Sequence, residues 1–300
     1  PTDVYLYLSN VANGYDAIYN KDTKIKKTSI NAIIPRIGTG LEYGAAVIEH
    51  FNKNLGIFSC ASGDGLLTAS NKMKTSQRLS QNKVRVPKTI FANQPQDFKF
   101  LLDKVGGLPC IAKLQAGSQG AGVMILNDEL AASTSLQSFS KIGVNVILQE
   151  KIDTEKPTFD IRAYVVGDEV VAAYKRFALD DDFRSNYSLS KQGEKIKLTD
   201  EEIKMAIDAS KAVGLKVSGV DLMRDIEGKP YCIEVNGNAS LKGIETVTGI
   251  DIAGKIIDYI IENYKKSDNI NAAVMTEEKT VNNKNSIHPP QRKTEITFNY

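Results

Sequence analysis

The chain has 300 residues, 42% hydrophobic and 25% charged, so it is long and apolar enough for about two folded domains and is not disordered throughout. Its 38 basic residues nearly balance 36 acidic ones, and a net charge of +2 gives no electrostatic reason to expect a nucleic-acid or membrane partner. No apolar run approaches the about 18 residues of a membrane span, and no segment has the pattern of a secretion signal, so we expect a cytoplasmic protein.

The few cysteines and histidines limit the chemistry further. Cys60, Cys110 and Cys232 lie far apart within apolar runs, so we expect buried thiols rather than a disulfide framework. The two histidines, His50 and His288, are too few for a site built from several imidazoles, such as a zinc centre or a His-based triad.

The first 85 residues have the pattern of strand, turn and helix. Apolar runs at VYLYL and INAII predict strands, and LEYGAAVIEHFNKN, after a glycine, predicts a helix. A polar segment of good helix formers covers residues 69–83. Val86 and Pro87 then mark an extended connection, so we place a domain boundary near Arg85.

From Pro87 to Ile152 the pattern predicts an α+β unit with its own core. Its predicted elements, in order, are the strand KTIFA, the helix PQDFKFLLDKV, the strand LPCIAKL, a glycine-rich loop, the strand GVMIL, the helix DELAASTSLQSF and the strand NVILQEKI.

A second unit follows, with two predicted hairpins that turn at residues 167–168 and 227–228. Between them a helix is predicted over residues 200–213, capped by Thr199 at its start. Another helix is predicted over residues 251–264. The remaining residues, 266–300, are polar without periodicity and predict a mobile tail.

The second predicted hairpin places two carboxylates side by side. With its turn at Glu227 and Gly228, a regular register sets Asp221 opposite Glu234, and Asn236 lies on the same face. Two carboxylates about 5 Å apart repel by about 3 kcal/mol at an effective dielectric of about 20, so a cation between them is favoured. Carboxylate and amide oxygens suit Mg²⁺ when water and nucleotide phosphates complete its shell. The pattern indicates a cation site, and the competing interpretation is a solvated sheet face.

A glycine-rich segment, AKLQAGSQGAGV, follows the predicted strand that ends near Lys113. Glycines let backbone N–H groups close around phosphate oxygens, and a lysine at the strand end adds a positive charge. The segment lacks the ending of a P-loop and the spacing of a dinucleotide fingerprint, so an ordinary turn is an equal alternative.

The first predicted hairpin favours a cross-strand ion pair. Its turn at Gly167 and Asp168 sets Asp160 opposite Lys175, with Arg162 on the same face. The pattern therefore predicts a structural ion pair between Asp160 and Lys175.

The segment DDDFRSN places Arg184, Ser185 and Asn186 on a polar connection after this hairpin. A guanidinium there can hold a phosphate or a carboxylate through two hydrogen bonds. The alternative is a solvated arginine.

Together these segments resemble the ATP-grasp superfamily, and within it the ribosomal-protein glutamate ligases of the RimK type. The resemblance spans about residues 33–264. Its motifs are AIIPRIGT, SNKMK, IAKLQAGSQGAGV, ILQEKI, DIRAYVVGDEVVAA, DFRSN, SGVDLMR, IEVN and GIETVTGIDIAGK. It implies the ATP-grasp fold, of mixed α+β and α/β class, in which two α+β subdomains grip ATP. The implied domains are a pre-ATP-grasp α/β domain at 1–85, an ATP-grasp domain at 86–265 and a disordered polar tail at 266–300.

The resemblance also implies a role for each matching position. The implied nucleotide-binding residues are Lys72 and Lys113 on the phosphates, Gln149, Glu150, Lys151 and Ile152 around the adenine, and Asp160 as a further polar contact. Arg184, Ser185 and Asn186 hold phosphate and the reacting carboxyl, and Arg184 and Lys113 are the implied catalytic residues. The implied ligands of two Mg²⁺ or Mn²⁺ ions are Asp221, Glu234 and Asn236.

The sequence departs from the family pattern in three places. A further strand and helix usually precede the position of Pro1, so the first domain is expected to be incomplete. After IEVN the usual Ala-Ser-Pro-Gly is replaced by GNAS at 237–240, and losing the proline predicts a looser wall beside the acceptor. The tail that ends in FNY has no counterpart in the family.

The implied function is an ATP-dependent ligase that adds L-glutamate to the C-terminal carboxylate of a protein or peptide, such as a ribosomal protein, through an acylphosphate. The expected assembly is a homo-oligomer with no nucleic-acid or membrane partner. Two alternatives stay open. One is a related ATP-grasp ligase that acts on a cofactor precursor or cyclises a ribosomally made peptide, and the other is a nucleotide-binding scaffold without turnover.

Overall fold

The structure of the chain is a computed structural model, which describes residues 3–8, 17–93, 97–114, 122–178 and 193–264. The strands in these ranges form four sheets. Two are small and lie early in the chain, and the two larger ones carry the site residues.

The early part of the chain contains the two small sheets and helix α1 (Leu41–Glu49). Its strands are β1 (Val4–Tyr7), β2 (Ala17–Asn20) and β3 (Thr23–Lys24), which are antiparallel, and β4 (Ala32–Ile33) and β5 (Phe58–Ser59), which are parallel. Helix α1 connects β4 to β5 and continues as a π-helical turn, His50–Asn54. The predicted strand at VYLYL and the predicted helix after the glycine are confirmed, whereas β2 and β3 lie in the polar stretch between the two apolar runs and were not predicted.

Two short helices lead towards the larger sheets. Helix α2 (Gly63–Ser70) and helix α3 (Lys72–Gln81) start at Ser62 and Asn71, whose side chains accept hydrogen bonds from backbone N–H groups of the first turn. Their buried leucines pack into the core of the five-stranded sheet. The cap at Asn71 thereby fixes the position of Lys72, the first residue of α3.

The four-stranded sheet is antiparallel in the order β6, β9, β7, β8. Its strands are β6 (Thr89–Ala92), β7 (Cys110–Leu114), β8 (Val123–Leu126) and β9 (Val146–Glu150). Helices α4 (Phe98–Lys104) and α5 (Glu129–Lys141) cover one face and share a separate hydrophobic core with the strands. The α+β unit predicted from Pro87 to Ile152 is confirmed.

The five-stranded sheet is antiparallel in the order β12, β11, β10, β13, β14. Its strands are β10 (Phe159–Val166), β11 (Glu169–Phe177), β12 (Gly193–Lys195), β13 (Val217–Arg224) and β14 (Pro230–Asn236). Helix α6 (Asp200–Ala212) packs on one face, and helices α7 (Leu241–Thr248) and α8 (252–264) pack on part of the other. The predicted cap of α6 is confirmed, because Thr199 and Glu202 form a complete capping box.

The first hairpin of this sheet corrects the predicted ion pair. The pairing next to the turn is as predicted, but a β-bulge follows, so Asp160 lies opposite Arg176 and not Lys175. The extra residue is Val171. It reverses the alternation of β11, since Val170 and Ala173 both face the α6 core, and this turns Lys175 to the face away from Asp160.

The second hairpin confirms the pairing of Asp221 with Glu234, although part of its register differs from the prediction. Near the turn every pair is shifted by one residue, as in Leu222 opposite Cys232. A bulge at Ile233 removes that shift before Glu234. The predicted turn was therefore wrong by one residue, and the bulge restored the predicted pair.

Cys60, Cys110 and Cys232 are buried free thiols, as predicted. Burial raises the pKa of Cys60 and Cys110 to about 11, so neither is a reactive thiolate at neutral pH. None of the helices within the described ranges has an apolar stretch long enough to cross a bilayer.

Candidate active site

A buried network of two arginines and two aspartates crosses three strands of the five-stranded sheet. Arg162 on β10 holds Asp221 on β13 through two hydrogen bonds, one of them from Nη2 to Oδ2 at 2.7 Å. Arg176 on β11 holds Asp160 through Nε and Nη2, at 2.6 and 2.5 Å. The Nη2 atom of Arg176 also lies 3.0 Å from Oδ2 of Asp221, so the two pairs form one network. Two positive and two negative side chains balance each other.

The network sets the protonation of its carboxyl groups. Burial by itself raises the pKa of Asp221, but Arg162 and Arg176 outweigh it and hold this pKa below its ordinary value. For Asp160, burial is the stronger influence and raises the pKa to about 6, although Arg176 opposes the rise. Asp221 is therefore an anion at neutral pH, held in place before any ligand binds.

Asp221 and Glu234 differ in their surroundings although they are paired across β13 and β14. Oδ2 of Asp221 accepts further from Nδ2 of Asn236, at 3.2 Å, whereas no described residue donates a hydrogen bond to the Glu234 carboxylate. Burial and the nearby Asp221 raise the pKa of Glu234, against the opposing charges of Lys72 and Lys113. The repulsion expected between the two carboxylates is offset on the Asp221 side by Arg162 and Arg176.

These residues suit a hard divalent cation. The described residues contain no cluster of three or more His, Cys, Asp or Glu side chains placed around one point. The predicted set consists instead of two carboxylates and the amide of Asn236, so water and phosphate oxygens have to complete the shell of a cation. Glu234 lines a cleft, and its carboxylate accepts no hydrogen bond from any described residue. Its oxygens are therefore available as ligands.

The cleft lies between the four-stranded sheet, helices α2 and α3, and strand β14. It encloses about 440 Å³, counting the part that opens to solvent. Its lining residues are Ala69, Lys72, Thr75, Ser76, Thr89, Lys113, Ile147, Gln149, Ile233 and Glu234. Four of the predicted site residues thus meet in one cleft, on elements from both larger sheets and from α3.

Lys113 is fixed in the cleft by neutral partners. Its Nζ atom donates to Oε1 of Gln149 at 2.6 Å, and Nε2 of Gln149 donates to the hydroxyl of Thr89 at 2.9 Å. Burial lowers the pKa of Lys113 to about 8, while Glu234 opposes this shift and Lys72 adds to it. Burial removes the water that would otherwise solvate the Lys113 ammonium. An anion bound in the cleft would accept its hydrogen bonds instead, so this arrangement favours phosphate or carboxylate binding.

Other predicted residues lie near the cleft but direct their side chains elsewhere. The carboxylate of Glu150 accepts from the backbone N–H of Lys88 at 3.1 Å and from its Nζ at 3.2 Å. Lys151 pairs with Asp153 at 2.9 Å, and Ile152 is half-buried after the end of β9. Of this predicted connection, Gln149 alone lines the cleft described above.

The remaining predicted residues, Arg184, Ser185 and Asn186, lie outside the described residues, as do Gly117 and Gly120 of the glycine-rich loop. Arg176 was not identified from the sequence, and Arg162 was placed on the right face without a role. Both arginines could have been identified as charged residues within otherwise apolar strands, because a charged side chain on the buried part of a sheet requires a partner.

The chain is similar to known proteins in family, in sequence and in structure. A family model described as a RimK-like ATP-grasp domain matches residues 69–260. A protein of Shewanella denitrificans named probable alpha-L-glutamate ligase 2 is 40% identical over 250 residues, which cover 83% of this chain and 81% of that protein. A probable alpha-L-glutamate ligase of Picosynechococcus is 41% identical over 236 residues, covering 78% and 77% of the two chains.

Among solved structures, the ATP-grasp ligase PsnB in complex with a minimal precursor, Mg and ADP has a similar architecture. Its TM-score is 0.66 over 88% of this chain and 86% of PsnB, at 20% sequence identity. At that identity the similarity concerns the fold alone.

Proposed function

This chain belongs to the RimK-like ATP-grasp family, and from that membership we propose that it joins L-glutamate to the C-terminal carboxylate of a protein or peptide. It is an ATP-dependent ligase with the ATP-grasp fold, as predicted from the sequence. The observation that carries the proposal is the meeting of a paired carboxylate set, Asp221 and Glu234, with the Lys113 cleft.

The nucleotide is proposed to bind in the cleft between the two larger sheets. Lys72 and Lys113 line this cleft and supply the positive charge that phosphate oxygens require. Gln149 holds Lys113 in position, and the chain from Gln149 to Ile152 is proposed to follow the adenine. The side chain of Glu150 is hydrogen-bonded to Lys88, so we propose that residues 149–152 contact the base through their backbone.

Asp221, Glu234 and Asn236 are proposed to hold two Mg²⁺ or Mn²⁺ ions beside the phosphates. Their oxygen-rich donor set and the open carboxylate of Glu234 fit such ions. When bound, the ions neutralise the negative charge that develops on the transferred phosphoryl group. Arg162 and Arg176 keep Asp221 ionised and oriented for this purpose.

The proposed chemistry follows from the low reactivity of a carboxylate. A carboxylate oxygen of the acceptor attacks the γ-phosphorus of ATP, which releases ADP and leaves an acylphosphate. The amine of glutamate then attacks the acyl carbon, an amide bond forms, and phosphate leaves with the former carboxylate oxygen. Lys113 and Arg184 are proposed to stabilise the charge on the transferred group. No protein nucleophile is needed.

Two observations support a peptide as the acceptor and glutamate as the donor. The relatives that are about 40% identical are named glutamate ligases. PsnB, which shares the fold, was solved with a precursor peptide. The macrocyclase MdnC, which also shares the fold, was solved with a precursor peptide as well, and this favours a second candidate, in which the acceptor is a carboxylate on a peptide side chain.

Mass spectrometry of reaction mixtures tests the proposal. The protein is incubated with ATP, Mg²⁺, isotope-labelled glutamate and a panel of peptides that have free or amidated C-termini. We expect label on peptides with a free C-terminus only, and none with Glu234→Gln. Label on amidated peptides would indicate side-chain ligation, and label on a metabolite alone would refute a peptide acceptor.

A further inference from the structure

The residues that follow β14 form a wall next to the charged network, and the early part of the chain fastens this wall. We define the wall as residues 237–240. Nη2 of Arg36 donates to the carbonyl oxygen of Ala239 at 2.8 Å, and Nδ2 of Asn238 donates to the carbonyl oxygen of Ile37 at 3.1 Å. The wall is therefore fixed without the proline that was expected there.

The wall lies directly against the network that holds Asp221. A Cβ atom on Gly219 would lie 2.5 Å from the Cβ of Ala239 and 2.8 Å from the Cδ of Arg162. Gly219 precedes Asp221 by two residues on β13 and shares its face. The absence of a side chain at Gly219 thus lets Ala239 approach Arg162, and the wall borders the place where Asp221 is held.

Arg36 brings a positive charge to this wall without a matching negative charge. Its residue is exposed, and among the described residues no carboxylate forms an ion pair with it. Its guanidinium is nonetheless positioned by the carbonyl oxygen of Ala239, which also accepts a hydrogen bond from the hydroxyl of Tyr164 at 3.4 Å. A guanidinium has five N–H donors, so a hydrogen bond to one carbonyl leaves donors for a ligand.

The other cations that the structure describes at the site have partners of their own. Arg162 and Arg176 are bound to Asp160 and Asp221, and Lys113 is held by Gln149 in the cleft assigned to the nucleotide. A glutamate donor brings two carboxylates that do not react, and each needs a cation outside the metal site. The carboxylate of the acceptor, by contrast, has to lie at the γ-phosphate.

We infer that Arg36 binds a carboxylate of the incoming amino acid and thereby holds the donor at the site. This inference rests on the proposed glutamate ligation, and it names the residue of this chain that recognises the donor. A bidentate guanidinium contact supplies both affinity and orientation, and orientation brings the amine towards the acyl carbon.

The test compares Arg36→Gln and Arg36→Lys with the wild-type protein, using glutamate, glutamine and isoglutamine as donors. Glutamine lacks the side-chain carboxylate, and isoglutamine lacks the α-carboxylate. For Arg36→Gln we expect the KM for glutamate to rise by about tenfold or more, the scale of one charged hydrogen bond, with the KM for ATP nearly unchanged. We also expect the variant to lose the preference for glutamate over one of the two amides, and Arg36→Lys to keep part of it.

Asn238→Ala is the matched control, because it removes the other hydrogen bond that fastens the wall. If Arg36 acts only as a fastener, both variants change the KM for all three donors equally, and the inference is wrong. Unchanged donor kinetics in Arg36→Gln also overturn it. Calorimetric binding of the three amino acids to protein loaded with Mg²⁺ and a non-hydrolysable ATP analogue decides the question separately from turnover. Absence of glutamate ligation in the wild type counts against the proposed function, whereas equal binding of glutamate by wild type and Arg36→Gln counts against the inference.

Discussion

The two sides of the active site balance their charges differently. On the five-stranded sheet, Arg162 and Arg176 are paired with Asp160 and Asp221, so the network is neutral without any ligand. In the cleft, Lys113 is held by the neutral amide of Gln149 instead of a carboxylate. The first arrangement balances its charges without a ligand, whereas the second leaves a cation whose charge is balanced by a bound anion.

This difference separates what each side contributes to the protein. Removing one partner from a balanced buried network leaves an unpaired charge and costs folding free energy. Removing a group that awaits a ligand costs binding or catalysis and little stability. Variants on the two sides should therefore divide into those that unfold more easily and those that bind or react less well.

The largest expected effect concerns the paired carboxylates, because one belongs to the balanced network and the other faces the cleft. Asp221→Asn leaves Arg162 and Arg176 short of one negative charge, so we expect the free energy of unfolding to fall by about 3 kcal/mol. Glu234→Gln should change it by less than about 1 kcal/mol. Ligation should fall below about 1% of the wild-type rate in both variants. Urea unfolding and turnover measurements check these values.

The pH dependence of these variants gives the sign of each contribution. The pKa of Asp221 is lowered by folding, so its stabilisation is present above its unfolded pKa and is lost as the pH falls. The pKa of Glu234 is raised, so folding penalises its ionised form, and stability is lost as the pH rises through the folded pKa. Equal destabilisation by Asp221→Asn and Glu234→Gln at neutral pH would contradict the difference between the two carboxylates.

The contrast between the two hairpins explains how far the sequence predicts this network. Both hairpins were predicted correctly, because alternation and glycine turns are local signals. The pair of Asp221 with Glu234 was also predicted, but only because the bulge at Ile233 offsets a turn that was placed one residue away. The partner of Asp160 was not, because the bulge at Val171 has no local signal and depends on how α6 packs on the sheet.

The next largest effect concerns Lys113 in the cleft, whose protonation should depend on whether ATP is bound. Its pKa is about 8 in the free protein, and a bound phosphate is expected to raise it. At pH 8.5 ATP binding should therefore take up a proton, and above pH 8 the affinity for ATP should fall as the pH rises. Calorimetry in buffers of different ionisation enthalpy measures this uptake.

Lys113→Met provides the control for proton uptake, because it keeps an unbranched side chain one atom shorter and removes the titrating group. We expect the uptake to disappear and the affinity for ATP to fall by about tenfold. If the same number of protons is taken up by Lys113→Met, another group is responsible.

The cleft itself was only partly predictable. Lys72, Lys113 and Gln149 were identified through the family motifs, and the structure brings them together with Glu234. The contacts of Thr75 and Thr89 in the same cleft were not predicted, because hydroxyl side chains on a helix and a strand occur commonly and show no special spacing. Helix α2, with two glycines in GDGLLTAS, was also missed, since glycine weakens the helical signal.

A smaller effect is expected from Gln149→Ala, which removes the amide that holds Lys113. The ammonium loses its acceptor and its fixed position, so we expect the affinity for ATP to fall by about three- to tenfold. Thr89→Val removes only the next hydrogen bond of the chain and serves as the graded control. A larger loss of ATP affinity in Thr89→Val than in Gln149→Ala would contradict the prediction, because Thr89 contacts Lys113 only through Gln149.

The smallest effect is expected at Glu150, where sequence and structure give different roles to the same residue. The family motif places this residue beside the adenine, yet its carboxylate receives two hydrogen bonds from Lys88, the residue before β6. Glu150→Gln keeps an acceptor for the backbone N–H of Lys88 and leaves the backbone of the segment in place. We therefore expect the affinity for ATP to change by less than about twofold, since exposed ion pairs contribute little. Fluorescent nucleotide titration measures this change, and a tenfold loss would mean that the carboxylate itself reaches the base.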